Sequence, residues 1–268
     1  MHVHFLDPYQ PRASLLHQLD ARIKLALTLM FILTTALTPH NAWPVYLLLL
    51  SVILAVGVLS ELGLAFVLKR STLAFIFVLA AVPVIFTLQG QTLFLVKLGA
   101  WSVPITQPGL ERFVSITLKS WISVQAAILL TASTPFPELL TAMRALRLPR
   151  LLVAIIGLMW RYLFVLVDEA FRLTRARAAR SGQSDQPNLK TGGSLVWRAR
   201  VAGGMAGNLF LRAFDRSDRI YMAMLARGYD GEARSLPTPA LSKTQLWILI
   251  AFSTMFAVLI VISLLIWG

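Results

Sequence analysis

The residues best placed to do chemistry are arginines at the ends of two helical stretches. One stretch closes RARAARSG, with Ala179-Arg180-Ser181, and the other closes AMLARGYDG, with Ala226-Arg227-Gly228. Taken singly, each is ordinary helix-end chemistry. A cation in the last turn favours the negative end of the helix dipole, and a glycine at the cap adopts a left-handed conformation cheaply. The same Ala-Arg-small ending on both stretches points further, to guanidinium groups held at helix tips for insertion into a groove on a soluble partner.

Other candidates for chemistry thin out on inspection. The chain has no cysteine, which removes disulfides, thiolate metal sites and thiol nucleophiles. GGMAGN at 203–208 lacks the Lys-Ser/Thr that a phosphate-binding loop needs. Asp168-Glu169 sits on an arginine-rich helix, where charge pairing is the ordinary explanation. Serine and histidine are nowhere spaced as nucleophile and base. His2 and His4 could chelate a metal, but with His17 and His40 they close no ligand set, so no metal site is assigned. Lys119 lies in an apolar run, where snorkelling to an interface competes with an intramembrane role.

These arginines must be carried by a membrane-embedded frame. Of 268 residues, 57% are hydrophobic and 14% charged, where a soluble domain carries about 25% charged residues. The uncharged run 244–267 alone is long enough to cross a bilayer, which takes roughly 20 helical residues. Five spans are expected: 25–38, 42–60, 71–89 with a kink at Pro83, 113–132 and 244–267. A further apolar run, 151–167, is ambiguous because Arg161 lies inside it. The N-terminal 24 residues are polar and predict no cleavable signal.

Charge placement sets the topology. The net charge of +13 reads as positive-inside bias and not as nucleic-acid binding. With the N-terminus inside, Arg12, Arg22, Lys24, Lys69 and Arg70 are cytoplasmic, as is the arginine-rich stretch after 144. This requires 151–167 to lie shallowly or against the bundle, and it leaves the C-terminus outside. The expected class is an all-α membrane protein of about five spans. Residues 1–132 form a four-span bundle, 133–243 a cytoplasmic or interfacial region, and 244–268 the final span.

The middle region reads as a short helix over 134–149, bounded by prolines, then two long amphipathic helices crossing each other around the polar loop 181–195. Arg161, Asp168, Arg172 and Arg175 share one face of the first long helix. Phe210, Phe214, Tyr221 and Leu225 share a face of the second; Arg212, Arg216 and Arg219 share another. Ala199, Gly203 and Gly207 recur every four residues, a seam that lets another helix approach closely.

TPFPELLTAMRALRLP, MWRYLFVLVDEAFRLTRARAARS and RSDRIYMAMLARGYDG, in that order, resemble the transmembrane (T) component of energy-coupling factor transporters; SLLHQLDARIKL is similar to the family's entry into its first span. GNLFLRAFDRSDRIYMAMLARGYDG looks most like the CbiQ type. The resemblance implies a multi-pass subunit of a bacterial or archaeal cytoplasmic membrane. Its partners would be two ABC-type ATPases and a substrate-capturing S component, alongside the lipid bilayer. Such a subunit is not an enzyme and binds no cofactor, ATP and magnesium residing on the ATPases. Carried over by position, Ala179-Arg180-Ser181 and Ala226-Arg227-Gly228 are the two ATPase-coupling motifs, the first departing from the pattern at Ser181, where glycine is usual and Gly182 follows at once. Cobalt, then nickel, is the implied cargo, with a shared vitamin-transport module as the alternative.

Different classes remain open from residues alone. A lipid-modifying membrane enzyme would use the basic helices to bind headgroups, but would need polar catalytic groups that are not found. A stand-alone carrier would normally show polar residues lining several spans, and these spans are nearly featureless.

Overall fold

The computed structural model describes residues 8–87, 91–98, 101–180, 194–231 and 240–267. A one-turn helix α1 (Leu15–Gln18) leads to Asp20, whose Oδ1 accepts from the Arg22 amide at 2.8 Å and so caps α2 (Ala21–Leu37). Helix α3 (Trp43–Leu59) begins with Pro44, which tolerates the first turn because its missing N–H would be unpaired there anyway. These helices occupy the first two expected spans.

The third span departs from expectation. In place of one kinked helix there follow α4 (Leu64–Arg70), a 3-10 turn (Ser71–Ala74), α5 (Phe75–Ala81) and α6 (Val84–Thr87). Pro83 has no N–H and its ring obstructs the preceding turn, so the helix stops and restarts there. A two-stranded antiparallel hairpin then pairs β1 (Thr92–Leu98) with β2 (Trp101–Thr106), in register from Leu98↔Trp101 to Thr92↔Thr106 with an irregularity between Thr92 and Phe94. No strand was expected there.

Thr106 caps the next helix, α7 (Gln107–Ser133), its hydroxyl accepting from the Gly109 amide at 3.3 Å. Gly109 is needed for space. A Cβ there would stand 2.6 Å from the Ile85 carbonyl oxygen and 2.8 Å from Thr106 Oγ1. Gly109→Ala is therefore expected to cost about 1–3 kcal/mol by forcing backbone apart, read as a lower thermal midpoint of the detergent-solubilised chain.

α8 (Phe136–Ala145) packs on α2 with Ala142 fully buried, and α11 (Lys243–Trp267) packs on α2 through Phe256. The shared core joins Phe31, Leu49, Ile53, Ile122, Leu129 and Phe256, with the Phe31 and Phe256 rings edge to face at 5.7 Å. Tyr46 ties α3 to α7 through a hydrogen bond with Ser115 at 2.8 Å. The chain divides into two compact units, Met1–Leu146 with Thr238–Gly268, and Arg147–Pro237. The second unit holds α9 (Arg150–Arg180) and α10 (Leu195–Ala226).

Among the described residues, Gln107–Ser133, Arg150–Arg180 and Lys243–Trp267 are long and apolar enough to cross a membrane. Trp43–Leu59 and Ile76–Thr87 are shorter apolar helices. The all-α membrane class stands, with one small hairpin added.

Two lysines have structural partners. Lys119 donates from Nζ to the Ala36 carbonyl at 3.1 Å, in the last turn of α2, where a cation meets the negative end of the dipole. Lys24 is 5% exposed; its Nζ donates to the Ser133 carbonyl at 3.1 Å and lies 3.5 Å from the His17 carbonyl. It closes the last turn of α7 from inside the bundle.

Candidate coupling site

The site begins with two helices of 31 and 32 residues, each roughly 47 Å long at 1.5 Å per residue. α10 starts on Ser194, whose hydroxyl accepts from the Trp197 amide at 3.2 Å. The helices are pinned at two places. Glu169 on α9 accepts from Arg212 on α10 at 2.7 Å and from Arg172, one turn along, at 2.8 Å; Arg216 lies 4.0 Å away. The Arg177 guanidinium of α9 sits 6.0 Å from the Trp197 ring centroid of α10. The two contacts show that the helices pass each other in opposite senses.

The Arg172 pair was legible as local charge pairing. The Arg212 pair was not, because sequence spacing had grouped Arg212 with Arg216 and Arg219 without a partner. The hydrogen bond from Arg212, reinforced by Arg172, holds the Glu169 carboxyl below the usual carboxylate range. A depressed acid stabilises the folded arrangement above its ordinary pKa, and that contribution is lost as pH falls through the depressed value. The α9–α10 contact should therefore persist across neutral pH and loosen only in acid, below the ordinary glutamate range. Glu169→Gln should loosen it already at pH 7. Spin labels at Arg175→Cys and Arg200→Cys, in a chain with no native cysteine, would read both effects as a broadened distance distribution. The pair is open to solvent, with Arg212 53% exposed, so high salt should reproduce part of the change.

The tip of α10 is resolved in detail. Ala226 is its last residue, and Arg227 is the C-cap with φ −96° and ψ 10°. Gly228 follows with φ +76°, its N–H donating to the Leu225 carbonyl at 2.9 Å, while the Tyr229 N–H donates to the Met224 carbonyl at 3.0 Å. This is a complete Schellman ending, which accounts for the glycine by its left-handed backbone. It does not account for the arginine: Arg227 is exposed and the ending uses only backbone groups. On α9, Ala179 and Arg180 are the last two helical residues and both are exposed; Ser181 lies outside the described residues.

Among the described residues the seam and the aromatic face of α10 are uncovered. A Cβ added at Gly203 or Gly207 would meet nothing within 4 Å. The face that α10 turns to α9 instead carries Trp197, Val201, Gly204, Met205, Asn208 and Arg212. Phe210, Phe214 and Tyr221 are each more than half exposed. Of the remaining candidates, His17 is bound to Ser14 at 2.7 Å and to the Gln10 carbonyl at 3.0 Å, which explains it structurally, while His2 and His4 lie outside the described residues.

The sequence that folds into these helices matches a known family along most of its length. The CbiQ family, described as cobalt transport protein, matches residues 12–239. The chain belongs to the CbiQ family. It is 30% identical over 235 residues to the energy-coupling factor transporter transmembrane protein EcfT of Brevibacillus brevis, covering 84% of each chain. It is 28% identical over 190 residues to the cobalt transport protein CbiQ of Rhodobacter capsulatus, covering 70% of this chain and 74% of that one. It is also 27% identical over 239 residues to an uncharacterized protein of Methanocaldococcus jannaschii, covering 87% and 77%. Its family is that of a transporter's membrane component, and the chain is a membrane protein.

Proposed function

We propose that this chain is the energy-coupling subunit of an importer, joining two cytoplasmic ABC-type ATPases to a substrate-binding S component in the membrane. The observation that carries the reading is a pair of long helices bearing exposed arginines, Arg180 as the last described residue of α9 and Arg227 at the C-cap of α10, in a chain of this family. A transporter powered by separate ATPases needs a stiff element to turn nucleotide-driven closure into motion in the membrane. Two helices pinned at Glu169–Arg212 supply stiffness, and their tips supply charge. Ala179-Arg180-Ser181 docks one ATPase and Ala226-Arg227-Gly228 the other. The Ala199–Gly203–Gly207 seam and the exposed aromatics of α10 are left for close approach by the membrane partner.

In this reading the chain itself catalyses nothing, and ATP and magnesium are handled on the ATPases. Residues 1–132 and 244–268 form the membrane bundle, and 133–243 the coupling region at the cytoplasmic face. The N-terminus is cytoplasmic and the C-terminus outside, with 151–167 shallow in the bilayer of a bacterial or archaeal cytoplasmic membrane. The distribution of lysine and arginine supports that orientation. Cobalt is the first choice of cargo, supported by the name of the Rhodobacter relative, and nickel the second. The Brevibacillus relative carries no substrate in its name, which keeps open a module shared among vitamin-type S components.

Affinity purification of the mildly solubilised chain from its native membrane, followed by mass spectrometry, tests the assignment. An ABC-type ATPase and a small integral-membrane subunit should be recovered with it. Recovery of the chain alone, under conditions that preserve other membrane complexes, would contradict it.

A further inference from the structure

Between α9 and α10 lies a groove of about 830 Å³ with an uneven charge. Four guanidiniums line it, from Arg172, Arg177, Arg180 and Arg212, against the single carboxylate of Glu169. That carboxylate is already engaged by Arg212 and Arg172. Among the described residues no carboxylate pairs with Arg177 or Arg180. Arg177 is instead held toward the groove by its contact with the Trp197 ring. Apart from Asn208 the rest of the lining is apolar, with Leu173, Val201 and Met205 alongside Trp197. Opposite Gly204 a Cβ would meet nothing within 4 Å, so the groove is open at its middle.

Surplus positive charge beside an apolar trough is complementary to a molecule with an anionic head and a hydrocarbon tail. We propose that this groove binds the phosphate head of an anionic phospholipid, with Arg177 facing the phosphate, the Arg172 guanidinium flanking it from its place on Glu169, and an acyl chain along Leu173, Val201 and Met205, while Arg180 at the tip stays with the coupling motif. The site is specific and intramolecular, unlike general attraction of basic residues to a charged surface. Its occupant would brace the two helices at the level where Glu169 and Arg212 already join them. The proposal rests on the membrane placement of the coupling region but not on which ATPase or S component is bound.

The test uses the full chain, purified in detergent, stripped of lipid and titrated with single lipids under native mass spectrometry. One phosphatidylglycerol per chain is expected, retained in preference to phosphatidylcholine and weakened by salt. Arg177→Gln should weaken phosphatidylglycerol about fivefold, the effect of one arginine near an anionic headgroup. Gly204→Leu, which raises helix propensity while filling the groove, should remove the bound lipid and leave the helical signal unchanged. Equal retention of the two lipids, or full retention by Gly204→Leu, would overturn the proposal. Binding of inorganic phosphate as tight as that of lipid would overturn it in favour of a free-anion site. Photocrosslinks from Val201 to an acidic segment of a co-purified subunit, with no lipid present, would overturn it in favour of a protein contact. Loss of lipid with ATPase recovery intact would leave the coupling assignment standing, and the converse would leave the lipid site standing.

Discussion

Arg227→Glu is expected to reduce substrate uptake into cells or proteoliposomes by at least about 30-fold, as is Arg180→Glu, with ATPase co-purification falling in parallel. Truncating one partner of a buried, hydrogen-bonded charge pair at an interface costs roughly 2–5 kcal/mol, and reversal adds repulsion. The effect should be at the interface and not in the fold. Arg227 is exposed, and the ending around it is made by backbone bonds from Gly228 to Leu225 and from Tyr229 to Met224, which glutamate does not disturb. Gly228→Ala separates the two roles. It strains a residue at φ +76° by about 1–2 kcal/mol while keeping the arginine, so it should lower uptake only partly. If Arg227→Glu and Arg180→Glu both keep full uptake and full ATPase recovery, the tips are ordinary helix ends.

The second large effect concerns the bundle. Helix α11 is apolar along its length, but only Phe256 and Ser263 are buried on it. In lipid no hydrophobic force separates a helix contact from a lipid contact, so packing must hold α11 in place. Phe256, 4% exposed and edge-on to Phe31, is the principal anchor. Phe256→Ala is expected to cost about 3–5 kcal/mol, as large-to-small core changes do, and to lower the melting midpoint by on the order of 10 °C. Phe256→Leu, which keeps most of the volume, should lose much less. A melting curve unchanged by Phe256→Ala would mean that α11 is held by something other than this contact.

These two predictions draw on features of unequal visibility in the sequence. Length and apolarity made α3, α7 and α11 plain, because a bilayer demands long uncharged runs whatever the tertiary packing. The end of α10 is plain too, since Ala226-Arg227-Gly228 carries its own stop signal and the left-handed backbone at Gly228 follows from residue type. Features set by tertiary context are not legible in the same way. The interruption at Pro83 follows from residue type, but the division of 64–87 into short pieces packed on α7 does not. The hairpin was missed because TLFLVKL is almost uniformly apolar, so the alternation that marks a half-buried strand is absent. Lys24 reads in the sequence only as a cytoplasmic charge; its bond to a carbonyl 109 residues away in α7 is set by tertiary packing. The Glu169–Arg212 pair is of the same kind: each residue is unremarkable on its own helix, and only the passing of α10 beside α9 joins them.

Contact between the two arginine motifs and the ATPases is tested in intact membranes by photoreactive benzoylphenylalanine placed at Tyr229 and at Ala178, one position beside each motif. The expected result is a crosslink from both positions to an ABC-type ATPase, lost from Tyr229 in an Arg227→Glu background. Crosslinks confined to lipid or to integral-membrane proteins, with transport still running, would contradict it.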